Sequence, residues 1–244
     1  MRIGANQGVG YETAKNLVRS SADYHVILGS RDTAKGEAAA KDLQSETGTK
    51  GTVSSVQLDV TDDSSVDAAA QRVETEWGAL DVLVNNAGIV SMDPQPTRGA
   101  LRSVLDTNVV GALSVTEAFL PLLHKATRKP ARLVFVSSSM GSITHAADPS
   151  SKYYRPHATE YRVSKAALNM LMTMYNARLD SDEFMVFGAD PGLCATNFAK
   201  DPDALRSRGA AEPWEGGERV ATVIKGEKDA DVGKVLGLYG VSPW

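Results

Sequence analysis

Six short runs rich in Val, Ile and Leu alternate along the chain with longer segments of helical period: Tyr24–Ser30, Val53–Val60, Leu80–Asn85, Ala131–Ser137, Glu183–Ala189 and Lys234–Leu238. A strand covered on both faces reads as a continuous apolar run, and parallel neighbours need a crossover helix between them. The alternation therefore predicts an α/β fold, a doubly wound parallel sheet with helices on both faces. Helices are expected to begin near Val9, Thr33, Asp62, Arg98, Thr159 and Glu218, with Asp62 or Thr61 placed to cap the third. The segment from Thr159 to about Leu179 carries Val163, Leu168, Met170, Leu171, Met172 and Met174, which leave little polar face. Such a helix is expected to be covered on several sides.

At 244 residues the chain suits one domain spanning 1–244. Its net charge of -4 comes from interspersed acids and bases, which argues against nucleic acid or an acidic membrane as partner and leaves small molecules. A lone Cys194 cannot pair internally, and His25, His124, His145 and His157 show no metal-ligand spacing, so no metal is expected. Without a long apolar run or a leader-like N-terminus, the expected location is cytoplasmic. No Gly-x-Ser-x-Gly elbow occurs, which removes the support for a serine hydrolase.

Gly4-Ala5-Asn6-Gln7-Gly8-Val9-Gly10 precedes a helical pattern. Its glycines permit a tight turn that aims backbone amides at a dinucleotide pyrophosphate, the Rossmann arrangement; a turn with no ligand is the alternative. The second run ends Gly29-Ser30-Arg31, where an acid would suit the ribose of NAD(H) and an arginine suits the extra phosphate of NADP(H). NADP(H) is thus favoured over NAD(H), unless Arg31 is merely a solvated charge. Asp59 either touches the adenine or caps the next turn.

Further motifs make the resemblance specific. Asn86-Ala87-Gly88 follows the third interior run, Asn108 lies in the helical region Ala100–His124, Ser138-Ser139-Met140-Gly141 ends the fourth, and Tyr161 stands four residues before Lys165. Pro191-Gly192-Leu193-Cys194-Ala195-Thr196 follows the fifth. Together with the glycine turn these resemble the short-chain dehydrogenase/reductase family, most closely its carbonyl-reductase and fungal reductase branch, over nearly the whole chain. The resemblance implies an oxidoreductase with Ser138, Tyr161, Lys165 and Asn108 as its catalytic set. It also implies a cofactor site formed by Gly4, Asn6, Gln7, Gly8, Val9, Gly10, Arg31, Asp59, Val60, Asn86, Ala87, Gly88, Pro191, Gly192, Leu193 and Thr196, with Tyr161 and Lys165 at its reactive end. Ser137 and Ser139 are the register alternatives to Ser138, and a buried asparagine satisfying loop carbonyls is the plainer reading of Asn108.

On a helix, Tyr161 and Lys165 occupy adjacent turns and face one cleft. A phenol titrates near 10, and an ammonium beside it, with the nicotinamide charge, is expected to lower that value. Tyr153 and Tyr154 lack a lysine four residues on and read as lid or surface residues. Cys194 reads as a packed thiol.

Three departures from the family pattern carry expectations of their own. Only Met1-Arg2-Ile3 precede the glycine turn, so the first strand is expected to be shortened. That stub motivates a second reading: a dinucleotide-binding protein without turnover, acting as sensor or partner subunit, or a truncated gene product. Gln7 stands where NADP-preferring relatives often carry a base, which leaves Arg31 as the main support for NADP(H). The long interval between Ser138 and Tyr161 places Thr144–Pro156 beside the substrate cleft, with Asn197–Gly217 as a second irregular segment. If Thr144–Pro156 shields the apolar helix the protein is a monomer; otherwise a homodimer is expected.

Overall fold

The computed structural model describes residues 2, 3, 6–91, 93, 95–154 and 157–244. Eight strands form one sheet in the order β3-β2-β1-β4-β5-β6-β7-β8. They are β1 (Arg2–Ile3), β2 (His25–Ser30), β3 (Thr52–Gln57), β4 (Val82–Asn85), β5 (Ala131–Val136), β6 (Phe184–Ala189), β7 (Val235–Gly237) and β8 (Gly240–Ser242). The first seven pair in parallel, and β8 turns back antiparallel on β7. The six expected runs appear within one to three residues of their boundaries, and β8 is an addition.

The expected short first strand lies between β2 and β4, with Arg2 opposite Leu28 and Val84 and Ile3 opposite Gly29 and Asn85. Chain order reverses here, from outward winding (β1 to β3) to winding the other way (β4 to β7). In an open parallel sheet that switch point marks the crevice where ligands sit.

The helices are α1 (Gly8–Ser20), α2 (Thr33–Ser45), α3 (Asp63–Trp77), α4 (Arg98–Leu105), α5 (Gly111–His124), α6 (Ile143–Ala147), α7 (Thr159–Arg178), α8 (Pro202–Ser207) and α9 (Pro213–Lys225). Alternation along each strand sorts them onto two faces. Leu28, Val134 and Phe187 point toward α1, α2 and α9, meeting Leu17, Leu43 and Val220. Ile27, Leu133 and Phe135 point the other way, toward α3, α5 and α7, meeting Val66, Phe119 and Met172. Each such side chain fully removed from water contributes about 1.5–3 kcal/mol, so both faces are firmly held. Asp62 caps α3, its side chain accepting from Ser64 N. Among the described residues no helix is long and apolar enough to cross a membrane.

Three expectations need correction. The region 100–124 is two helices joined by a π-helical turn, Asp106–Val110, that holds Asn108 at its centre. The last long helix begins at Pro213, not near Glu218, because Glu212 and Glu215 form a capping box and Pro213 opens the first turn. Finally, α7 is not covered all round: Val163, Met170 and Met174, on one stripe, are 45%, 63% and 53% exposed. The Thr144–Pro156 segment, whose last two residues lie outside those described, does not bury that stripe.

Candidate active site

The C-terminal ends of β4, β5 and β6 open toward α7. Past the end of β5, three consecutive serines face three different partners. Ser137 is buried and donates to Asn169 of α7. Ser138 accepts from Met140 N at 3.2 Å, and its hydroxyl is near enough to the Tyr161 phenol to favour the ionised form. Ser139 is buried and donates to Asp190. Of the three registers, only Ser138 meets the phenol.

Helix α7 sits close enough for this contact because residue 141 is glycine. A Cβ there would stand 2.7 Å from the Lys165 carbonyl carbon and 2.8 Å from its Cβ, so any side chain would push the helix away. Lys165, one turn beyond Tyr161, is 4% exposed. Its Nζ donates to Val136 O at 2.7 Å and lies 5.6 Å from the centre of the Tyr161 ring. Asn108 is fully buried and makes three bonds: its Oδ1 accepts from Ile89 N at 2.8 Å, and its Nδ2 donates to Ile89 O at 3.0 Å and Ser164 Oγ at 2.9 Å. The π-helical turn brings that amide between the loop after β4 and α7. Gly88 completes the floor, since a Cβ on it would lie 3.4 Å from Asn108 Oδ1 and 3.8 Å from Lys165 Nζ.

The electrostatics differ from the sequence expectation. Burial raises the Tyr161 phenol well above its ordinary value, the Asp190 carboxylate raises it further, and only the Ser138 hydrogen bond lowers it. Burial likewise pushes Lys165 down to about 8, with Asp190 opposing the fall. The protein's own groups thus keep the proton on Tyr161. Desolvation is the larger of these effects at both groups.

The residues expected to hold a dinucleotide line the same end of the sheet. Gly4 lies outside the described residues. Gly8 has φ of +60°, and a Cβ on it would meet Thr196 Cγ2 at 3.5 Å, which sets the segment after β6 against the start of α1. Gln7 gives the first turn of α1 no side-chain cap and that turn carries no acid, so it fits an anion. Val9 and Ala87 pack against the two core clusters, Gly10 is buried, Asn86 is half-buried, and Leu193 is exposed. Val60 is buried instead against Gly111, at the foot of α5.

At the far end of the crevice Arg31 is exposed, and the single acid of that turn, Asp32, is used as the N-cap of α2. Asp59 takes the turn-capping alternative: it accepts from Thr61 N at 3.0 Å and Thr61 Oγ1 at 2.8 Å. Those bonds, and then the Arg31 charge, hold its carboxyl below the usual range. The open first turn of α1 and the exposed Arg31 fit the phosphates of a dinucleotide.

Sequence reasoning missed three residues here. Lys35, on the first turn of α2, lines a cleft of about 420 Å³ with Asn6, Gln7 and Tyr11. Its position one helical turn past Arg31 was the available signal. Phe198 packs edge-on to Tyr161, ring centres 5.7 Å apart, where the sequence showed only an irregular loop. Asp190, buried beside Ser139, was legible as an acid ending an apolar run.

Comparison with known proteins gives the family and the fold. A family model described as short chain dehydrogenase matches residues 2–205. The short-chain dehydrogenase/reductase tropE of Talaromyces stipitatus is 35% identical over 251 residues, covering 96% of this chain and 92% of that protein. The short-chain dehydrogenase anuI of Penicillium roqueforti is 38% identical over 214 residues, covering 86% and 84%. Among solved structures, NADPH-bound carbonyl reductase from chicken fatty liver superposes with a TM-score of 0.80 at 28% identity, covering 100% of both chains. An alcohol dehydrogenase from the archaeon Thermococcus sibiricus, complexed with 5-hydroxy-NADP, also gives 0.80, at 25% identity over 99% of this chain and 95% of that one.

Proposed function

The chain belongs to the short-chain dehydrogenase/reductase family of oxidoreductases, and from that premise we propose that it interconverts a small-molecule carbonyl and its alcohol with NADP(H). The observation that carries this reading is the buried Lys165 amine, fixed to Val136 O and 5.6 Å from the centre of the Tyr161 ring. A dinucleotide held between the start of α1 and the Pro191–Thr196 segment would supply or accept the hydride at the substrate carbon.

The remaining work falls to this chain's residues. Ser138 and Tyr161 hydroxyls hold the substrate oxygen. In reduction Tyr161 gives that oxygen its proton, a task suited to a phenol that burial keeps protonated. In oxidation the proton returns to Tyr161. Negative charge on the oxygen is greatest in the transition state, so two aimed hydroxyls lower the barrier more than they strengthen binding. Lys165 keeps a positive charge next to the phenol and passes the replacement proton, while Asn108 fixes Ile89 and Ser164 around both.

The preference for NADP(H) over NAD(H) is supported by Arg31 and Lys35 at the outer end of the crevice and by the use of Asp32 as a helix cap. The exposed stripe of α7 supports the homodimer over the monomer.

Replacing Tyr161 by Phe tests the reading. Turnover of an aldehyde and ketone panel should fall by about 100-fold or more, while NADPH binding, followed by its fluorescence, stays as in wild type. Undiminished turnover would remove Tyr161 as the acid.

A further inference from the structure

Asp190 follows β6, directly before Pro191-Gly192, and is only 4% exposed. A carboxylate so placed must find donors, because losing water without them is costly. Asp190 has three. Its Oδ2 accepts from Ser139 N at 2.7 Å and Ser139 Oγ at 2.6 Å, and its Oδ1 accepts from Gly192 N at 2.8 Å. Gly237 leaves room for it, since a Cβ there would lie 3.3 Å from Asp190 Oδ2. One side chain therefore ties the loop after β5, which carries Ser138, to the loop after β6.

A neutral amide could make such a tie. A buried negative charge is harder to maintain, so its presence asks for partners that use the charge. Two such partners are on α7: the Asp190 charge favours the protonated form of both the Tyr161 phenol and the Lys165 amine. On α9, Arg219 donates to Pro191 O at 2.6 Å and stands 3.9 Å from Glu215; both, together with Asp190, bear on the Cys194 thiol.

We infer that Asp190 is a positioning residue whose buried carboxylate, bonded to Ser139 and Gly192, locks the loop that carries Ser138 to the loop after β6, against the cleft that holds Tyr161 and Lys165. The inference rests on the reading of Tyr161 as proton donor. Its electrostatic sign is the same at both sites, because a negative neighbour opposes proton loss from phenol and ammonium alike.

Asp190→Asn keeps the shape and removes the charge. Carbonyl reduction should slow as Lys165, which burial brings down to about 8, loses the proton it relays, and that limb of the profile should move to lower pH in the variant, because Asp190 opposes the fall. Ser139→Ala, which cuts one tie but keeps the carboxylate, should lower kcat and leave the limb where it is. A readout independent of turnover comes from the cofactor-free protein. In lysine-labelled protein the Lys165 side-chain NMR signal, assigned by its loss in Lys165→Met, should titrate at lower pH in Asp190→Asn than in wild type. A limb and spectrum that stay put in a folded Asp190→Asn protein overturn the inference. So does failure of both Asp190→Asn and Asp190→Ser to fold, which would make the carboxylate a structural tie alone. Full turnover by Tyr161→Phe would instead sink the proposed reaction, while the spectra still report on Asp190.

Discussion

The buried ammonium of Lys165 donates to the backbone carbonyl of Val136 at 2.7 Å, so the amine of α7 is fastened to the last residue of β5. That bond fixes the charge relative to Ser138, two residues further along the same segment. It also holds a cation where water is scarce, and this has a measurable consequence for stability.

Burial pushes Lys165 from 10.5 down to about 8. Between these values the unfolded chain binds a proton that the native protein has released, so the contribution of Lys165 to unfolding free energy rises with pH across that window. Below about 8 both states are protonated and the contribution is flat. Relative to Lys165→Met, the wild-type protein should gain up to about 3 kcal/mol between the two limits. Urea denaturation of both proteins at a series of pH values measures it; a constant difference would contradict the buried, shifted amine.

Asn108→Ala strips partners from Ile89 N, Ile89 O and Ser164 Oγ together. The protein should lose about 2–3 kcal/mol of stability, since an unpaired buried polar group costs about 1–3 kcal/mol. Chemical denaturation reads the loss, and a shift within error of zero would mean that water replaces the amide at no cost.

Arg31→Ser combined with Lys35→Ala should raise KM for NADPH by about tenfold or more and leave KM for NADH nearly unchanged, because only the former carries a phosphate for these cations. Equal rises for both cofactors would show that the two residues do not discriminate between them.

Met170→Glu with Met174→Glu places two charges on the open stripe of α7. Wild-type protein should sediment as a homodimer and the variant as a monomer with its melting temperature little changed. A monomeric wild type would show that this stripe has no symmetric partner.

Much of the sheet was legible because buried parallel strands announce themselves as apolar runs, and the spacing of Tyr161 and Lys165 survives any one-turn error in the helix start. Other features depend on contacts between segments far apart in sequence. Gly216 and Gly217 read as loop residues, yet they lie within α9, where a Cβ on Gly217 would stand 2.6 Å from Glu12 Cβ. Their smallness serves the approach of α9 to α1, which no local pattern reveals. The π-helical turn at Asn108 is equally hidden, since its extra residue is stabilised by bonds to Ile89 and Ser164. The burial that raises the Tyr161 phenol is hidden too, because spacing conveys a neighbour's charge but not the loss of water around it.

The missing methyl at Gly141 divides the molecule into parts that can change at different rates. Everything that must stay in register for proton transfer hangs on the clearance between that glycine and the Lys165 backbone. By contrast, α6 and the short turn bearing Phe198 sit outside this clearance, on the mouth of the cleft. Descendants of this chain can therefore trade one substrate for another by rewriting the mouth, with the reaction centre inherited intact.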